Sequence, residues 1–164
     1  MDMIFCQKYA YLNRRILLKS ILTGLGLEYD RDKIIESIHN YIDFTDLIVR
    51  KGAISAYKGQ KCIVSLNMRD GILLCEGNGN AEWNNSCAHG SGRIMSRRKA
   101  SEIFTMKQFH EEMKNVYSTV IVKETLDESP MAYKDTNFIK SLLDETVTIE
   151  NQLYPVINLK GYDK

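Results

Sequence analysis

The chain has 164 residues, the size of one ordinary domain. Hydrophobic residues make up 44% and charged residues 26%, which excludes a disordered chain and is enough to bury a core. Lys and Arg number 22 against 21 Asp and Glu, a net charge of +1, so no global basic signature points to nucleic acid and any such case must rest on local placement.

The four cysteines, Cys6, Cys62, Cys75 and Cys87, form no C-x-x-C pair, so neither a zinc knuckle nor a redox dithiol is signalled. Cys6, Cys62 and Cys75 read as core filling. No apolar run approaches the ~18–20 residues of a membrane span, and no secretory leader opens the chain. The sequence therefore reads as cytosolic, with reduced thiols.

In chain order, residues 3–23 predict a helix whose Phe5, Tyr9, Leu12 and Ile16 share one face. Gly24 and Gly26 stop it. Asp30 or Asp32 caps a short second helix carrying Ile34, Ile35 and Ile38 and ending near His39–Tyr41. From Leu47 the grammar changes to strands and turns. Apolar runs at 47–49, 53–57, 62–66 and 72–75 are punctuated by Lys51-Gly52, Lys58-Gly59 and Asp70-Gly71. Residues 77–94 hold Gly77, Gly79, Gly90 and Gly92 around a buried-type Trp83, and read as a long functional loop. Helices follow at 95–100 and 106–117, a strand at 118–122, a helix at 137–143 and an extended segment at 147–159. The class is α+β, without internal repeats.

The chemistry concentrates at His89, in Ala88-His89-Gly90-Ser91-Gly92-Arg93. Glycines let a backbone approach a ligand closely and present N–H groups to an anion. With a helix starting near Gly92–Ile94, Arg93 and Arg97 fall on one face near its positive end. An imidazole beside such a cradle can attack phosphorus covalently. Taken alone, the same pattern also fits a histidine that is merely hydrogen-bonded in a loop. There is no G-x-x-x-x-G-K-[S/T] loop of an ordinary NTPase. His110, on a charged helix, carries no assigned function.

The run His89-Gly90-Ser91-Gly92-Arg93-Ile94-Met95-Ser96-Arg97, followed by Ala100, resembles the nucleotidylated-histidine motif of RtcB-type RNA ligases. Further stretches fit in order: His39-Asn40-Tyr41-Ile42, Arg50-Lys51-Gly52-Ala53, Asn67-Met68-Arg69-Asp70-Gly71, Gly77-Asn78-Gly79-Asn80, Glu128-Ser129-Pro130-Met131-Ala132-Tyr133-Lys134-Asp135 and Leu159-Lys160-Gly161. The resemblance implies that residues 1–164 are one partial domain, the C-terminal portion of such a ligase's catalytic domain, with Tyr162-Asp163-Lys164 extending past the usual end. It implies a GTP- and manganese-dependent enzyme joining RNA 3′-phosphate or 2′,3′-cyclic phosphate ends to 5′-hydroxyl ends through a histidine–GMP intermediate.

By motif position His89 would carry GMP, and Gly90, Ser91 and Gly92 would lie along the nucleotide. Asn40, Ser65, Leu66, Asn67 and Met68 would contact it, and Lys160 would meet the guanine. His39 would be a manganese ligand, and Arg93 and Arg97 would contact phosphates. Where the family often has proline, this chain has Ser65. The family's other metal ligands lie in an N-terminal half that nothing here matches. The chain is therefore expected to be a ligase fragment, incomplete alone, whose partner would be that missing half. The alternatives are a gene product that cannot ligate and a nucleotide- or RNA-binding module without catalysis.

Overall fold

The computed structural model describes residues 2–161, which fall into two compact units dividing between Ile35 and Glu36. The first unit is a single long helix, α1 (Asp2–Gly24), with a 3₁₀ turn at Arg31–Lys33. Gly26 adopts φ +70, and Leu27 N–H reaches back to the Leu22 carbonyl at 2.8 Å while Gly26 N–H bonds Thr23 at 3.0 Å. This pair of bonds ends a helix with a left-handed glycine. The expected apolar stripe is present, but α1 has no buried residue, and Phe5 is 70% exposed. Cys6 is likewise exposed, which corrects its reading as core filling.

The predicted second helix does not form. Beyond the 3₁₀ turn, Ile34 is extended, and Ser37 Oγ accepts a hydrogen bond from Ile63 N at 2.8 Å. Adjacent β-branched Ile34 and Ile35 disfavour a helix, and the bond to Ile63 ties the segment to extended chain.

The second unit opens with a hairpin of β1 (Asn40–Asp43) and β2 (Ile48–Lys51), pairing Asn40 with Lys51. β3 (Ala53–Ser55) runs antiparallel to β6 (Ser86–Ala88). β4 (Lys61–Ser65), β5 (Ile72–Gly77) and β8 (Val147–Leu153) form a three-stranded antiparallel sheet. Burial alternates along β4 and β5, with Cys62, Val64, Leu73 and Cys75 facing in, as a one-sided sheet requires. Those side chains pack with Ile54, Cys87 and Val147, and with Ile139 and Leu143 of α4 (Thr136–Leu143). Each such aliphatic side chain, fully buried, contributes about 1.5–3 kcal/mol.

α2 (Arg97–Ile103) and α3 (Met106–Glu112) come between. Phe109 and Met113 build a second core with Met68, Val116, Val120 and Leu126. β7 (Tyr117–Ser118) pairs in parallel with β9 (Ile157–Asn158). The strand expected over 118–122 is thus reduced to this short pairing, and the chain continues into a 3₁₀ segment at Lys123–Glu128. The helices and small sheets make the fold α+β, as the sequence predicts. No helix among the described residues is long and apolar enough to cross a membrane.

Candidate active site around His89

His89 follows β6 directly. Its Nδ1 lies 2.6 Å from the carbonyl oxygen of Gly52. A carbonyl can only accept, so Nδ1 carries the proton and donates it. In the neutral ring Nε2 is then the nitrogen with the free lone pair. Gly52 is held in turn: its N–H donates to the His39 carbonyl at 2.8 Å and lies 3.3 Å from Asn40 Oδ1. The His39 ring stacks on the His89 ring, centroids 5.0 Å apart and planes within 12°. The hairpin thus brings His39, Asn40 and Gly52 to His89, 50 residues from His39 in sequence.

On its other side the His89 segment is sewn to the end of β4. Ser65 N–H donates to the His89 carbonyl at 3.0 Å, and Ser91 N–H to the Ser65 carbonyl at 2.9 Å. Ser91 is buried, and its hydroxyl donates to the Leu66 carbonyl at 2.9 Å. Gly90 sits where any side chain would collide, since a Cβ there would lie 2.5 Å from the Ser65 carbonyl oxygen. This contact needs glycine for close approach.

The Ser65–Gly90 seam separates two cavities. One, of about 430 Å³, is lined by Ser65, Leu66, Asn67 and Met68 together with Glu128 and Lys160. The other, of about 610 Å³, is lined by His89, Gly90, Ser91 and Gly92 with Lys51, Trp83 and Lys134. Of the residues singled out in the sequence, Ser65–Met68 and Lys160 line the first cavity and His89–Gly92 the second, while His39, Asn40, Arg93 and Arg97 line neither. Asn67 also serves its own turn, its Oδ1 accepting from Arg69 N and Asp70 N at 3.0 and 2.9 Å.

Arg93 and Arg97 do not share a helix face as expected, because α2 begins at Arg97, capped by Ser96, and leaves Arg93 outside it. Both arginines turn to acidic partners. Arg97 pairs with Asp127 at 2.7 Å and with Glu128. Arg93 lies 3.9 Å from Glu128, bonds the Asp127 carbonyl and stacks over the Tyr133 ring. Lys160 Nζ reaches Glu128 Oε2 at 2.8 Å, and Tyr133 O–H donates to the same oxygen at 2.6 Å. Burial alone would raise the Glu128 carboxyl, but the Lys160 and Tyr133 bonds and the nearby cations outweigh it and hold it at about 2. Burial and the Glu128 contact push the Tyr133 phenol to about 12. Glu128 is the residue that sequence reasoning missed. It was visible only as a letter in an ordered motif, because its partners lie 5 to 35 residues away along the chain.

One other expectation is corrected. Trp83 is 55% exposed rather than buried. Cys87 is buried against Cys62, and that thiol contact together with burial drives its ionisation upward, which argues against a reactive thiol two residues before His89.

A metal ion finds too few ligands among the described residues. Among the described residues no group of three His, Cys, Asp or Glu is placed to hold one. His39 offers a single imidazole.

A tight backbone seam at Gly90, a histidine whose Nδ1 is held by a carbonyl and an adjoining cleft that carries Lys51 and Lys134 make up the site. The family profile described as tRNA-splicing ligase RtcB matches residues 1–161. "RNA-splicing ligase RtcB1" of Escherichia coli strain ATCC 25922 is 31% identical over 177 aligned residues, and "RNA-splicing ligase RtcB" of Escherichia coli strain K12 is 30% identical over the same length. Each alignment takes in 96% of this chain and 42% of the relative. The chain belongs to the RtcB family, and it spans less than half the length of these relatives.

Proposed function

We propose that this chain carries the guanylate-accepting part of a 3′-phosphate/5′-hydroxyl RNA ligase. The observation that carries the reading is the Gly52 carbonyl on His89 Nδ1, which leaves Nε2 as the nucleophile. Nε2 attacks the α-phosphorus of GTP, the bond to the β-phosphate oxygen breaks, and pyrophosphate leaves. GMP remains on the histidine as a phosphoramidate and passes to an RNA 3′-phosphate, where attack by a 5′-hydroxyl displaces it. A 2′,3′-cyclic phosphate is opened first.

In this reading the Ser65–Met68 and Lys160 cavity takes the guanosine, with Lys160 donating to the base. Ser91 and Glu128 hold its walls in place. Manganese belongs to the reading through His39, but one imidazole does not make a site, so the remaining ligands would come from a polypeptide corresponding to the other part of the longer relatives. No step is assigned to the metal on this chain alone.

The test is incubation with α-labelled GTP and manganese, with and without the N-terminal half of a relative supplied in trans. Acid-labile label on the wild-type protein, absent from His89→Ala, is expected. Equal labelling of His89→Ala overturns the nucleophile assignment. The lone metal ligand favours a second reading, a nucleotide- or RNA-binding module without catalysis. It predicts binding that persists in His89→Ala and no labelled protein under either condition.

A further inference from the structure

The cations nearest His89 divide into two sets. Arg93, Arg97 and Lys160 are committed to Asp127 and Glu128. Arg50, whose side chain is 1% exposed, is spent on Asp43, Tyr41, Tyr57, Ser86 and the Asn84 carbonyl. Lys51 and Lys134 are different. Both line the 610 Å³ cleft onto which His89 opens, both are exposed, and neither has an ion-pair partner among the described residues. No Asp or Glu is among the described residues lining that cleft, although the chain as a whole carries almost as many acids as bases. An acid-free cleft with two uncommitted ammonium groups is complementary to phosphate.

The same cleft holds the only tryptophan of the chain. Trp83 ends a 3₁₀ turn that is followed by two left-handed residues, Asn84 at φ 52 and Asn85 at φ 47. Its indole N–H is fixed to Glu145 Oε2 at 2.8 Å, and its ring remains half exposed. Asparagine is among the few residues with a side chain that enter the left-handed region readily, so the pair suits a sharp change of chain direction. Here they carry the chain away after a large ring that faces the cleft rather than the core. A fixed aromatic face beside unpaired lysines is the arrangement by which proteins hold single-stranded nucleic acid: bases stack and phosphates meet cations.

We propose that this cleft is the binding site for the single-stranded 3′-phosphate end of the RNA, with Lys51 and Lys134 on its terminal phosphates and Trp83 stacked on a base. The assignment rests on the reading of His89 as the guanylylated residue, since it gives the RNA end its own cleft beside that histidine and leaves the cavity across the Ser65–Gly90 seam to the nucleotide.

The test is binding of a short oligoribonucleotide, with a 3′-phosphate or a 3′-hydroxyl, to the full chain, followed by anisotropy and by the emission of the single tryptophan. Wild type is expected to prefer the 3′-phosphate and to show quenched emission. Trp83→Ala is expected to lose about 5- to 100-fold in affinity and Trp83→Phe to recover most of it, the range that one base–aromatic stack spans. Lys51→Met and Lys134→Met should each weaken binding and lower the salt slope by about 0.7, while Lys107→Met, on α3 outside the cleft, should do neither. Unquenched emission on RNA binding, or wild-type affinity in the Lys51→Met/Lys134→Met double variant, overturns the proposal. So does a dimer in solution with blue-shifted emission, which would show that a second copy covers the cleft. Quenched, lysine-dependent RNA binding in a protein that never takes label from GTP would uphold the cleft assignment and defeat the histidine reading instead.

Discussion

Replacing Glu128 with glutamine removes the one negative charge on which Arg97, Lys160 and Tyr133 converge. The carboxyl sits at about 2 instead of its ordinary 4.5, a displacement worth about 3.5 kcal/mol before screening at ~1.4 kcal/mol for each pH unit. Its pKa is lower in the folded chain than in the unfolded one. The charged carboxylate therefore stabilises the fold fully above about pH 5, and that contribution drains away as pH falls toward 2. Arg97 is two-thirds exposed and its share is screened by solvent, so most of the effect belongs to Lys160 and Tyr133. Urea denaturation followed by circular dichroism, wild type against Glu128→Gln, should show a gap of about 2–3 kcal/mol at neutral pH. The gap should narrow below about pH 5 and close near pH 2. Asp70, also held at about 2 against burial by Arg69, Asn67 and Thr136, is present in both proteins and cancels in the difference. A gap that stays constant across that range would show that Glu128 matters as shape rather than charge, and would refute the reasoning.

Arg50→Met should cost about 3–5 kcal/mol, because it leaves Asp43 and two phenols without their shared donor, and Arg50→Lys should restore only part. Denaturation midpoints decide it, and a loss below about 1 kcal/mol would mean the hairpin is held by other contacts. Gly90→Ala should force open the seam to Ser65, costing about 1–3 kcal/mol and lowering guanylylation of His89 more than it lowers stability-matched controls. Full labelling of Gly90→Ala would show that the seam does not position the histidine.

The sequence made the site legible where chemistry is local and illegible where it is long-range. His89 and its glycines stood out because the residue types and their spacing carry the meaning. β4 and β5 were readable as short apolar runs because Lys58-Gly59 and Asp70-Gly71 punctuate them with turns. The strand β6 was lost inside a glycine-rich segment because its three residues make sense only against β3. The shared helix face expected for Arg93 and Arg97 depended on a helix start that Ser96 places later than anticipated. Trp83 looked like core from its size alone. Nothing local could reveal that Glu145, 62 residues away, would hold its edge and leave its face open.

These failures share a cause that bears on the function. A cation already met by a carboxylate of the protein offers a phosphate less net charge than one that is not, and that is a property of the fold and not of the cation. Arg93 and Arg97 stand next to the histidine in sequence and are neutralised by Glu128 and Asp127. Lys51 and Lys134 stand 38 and 45 residues from His89 and have no ion-pair partner among the described residues. Under the proposed reading the two cavities then differ in what they can hold. The one walled by the Glu128 cluster offers fixed, charge-balanced donors, which suit the edge of a base. The one with uncommitted lysines suits the phosphates of a strand. His89 lines the cleft with the lysines, and its neighbour Gly90 makes the tight seam to Ser65, which lines the other cavity.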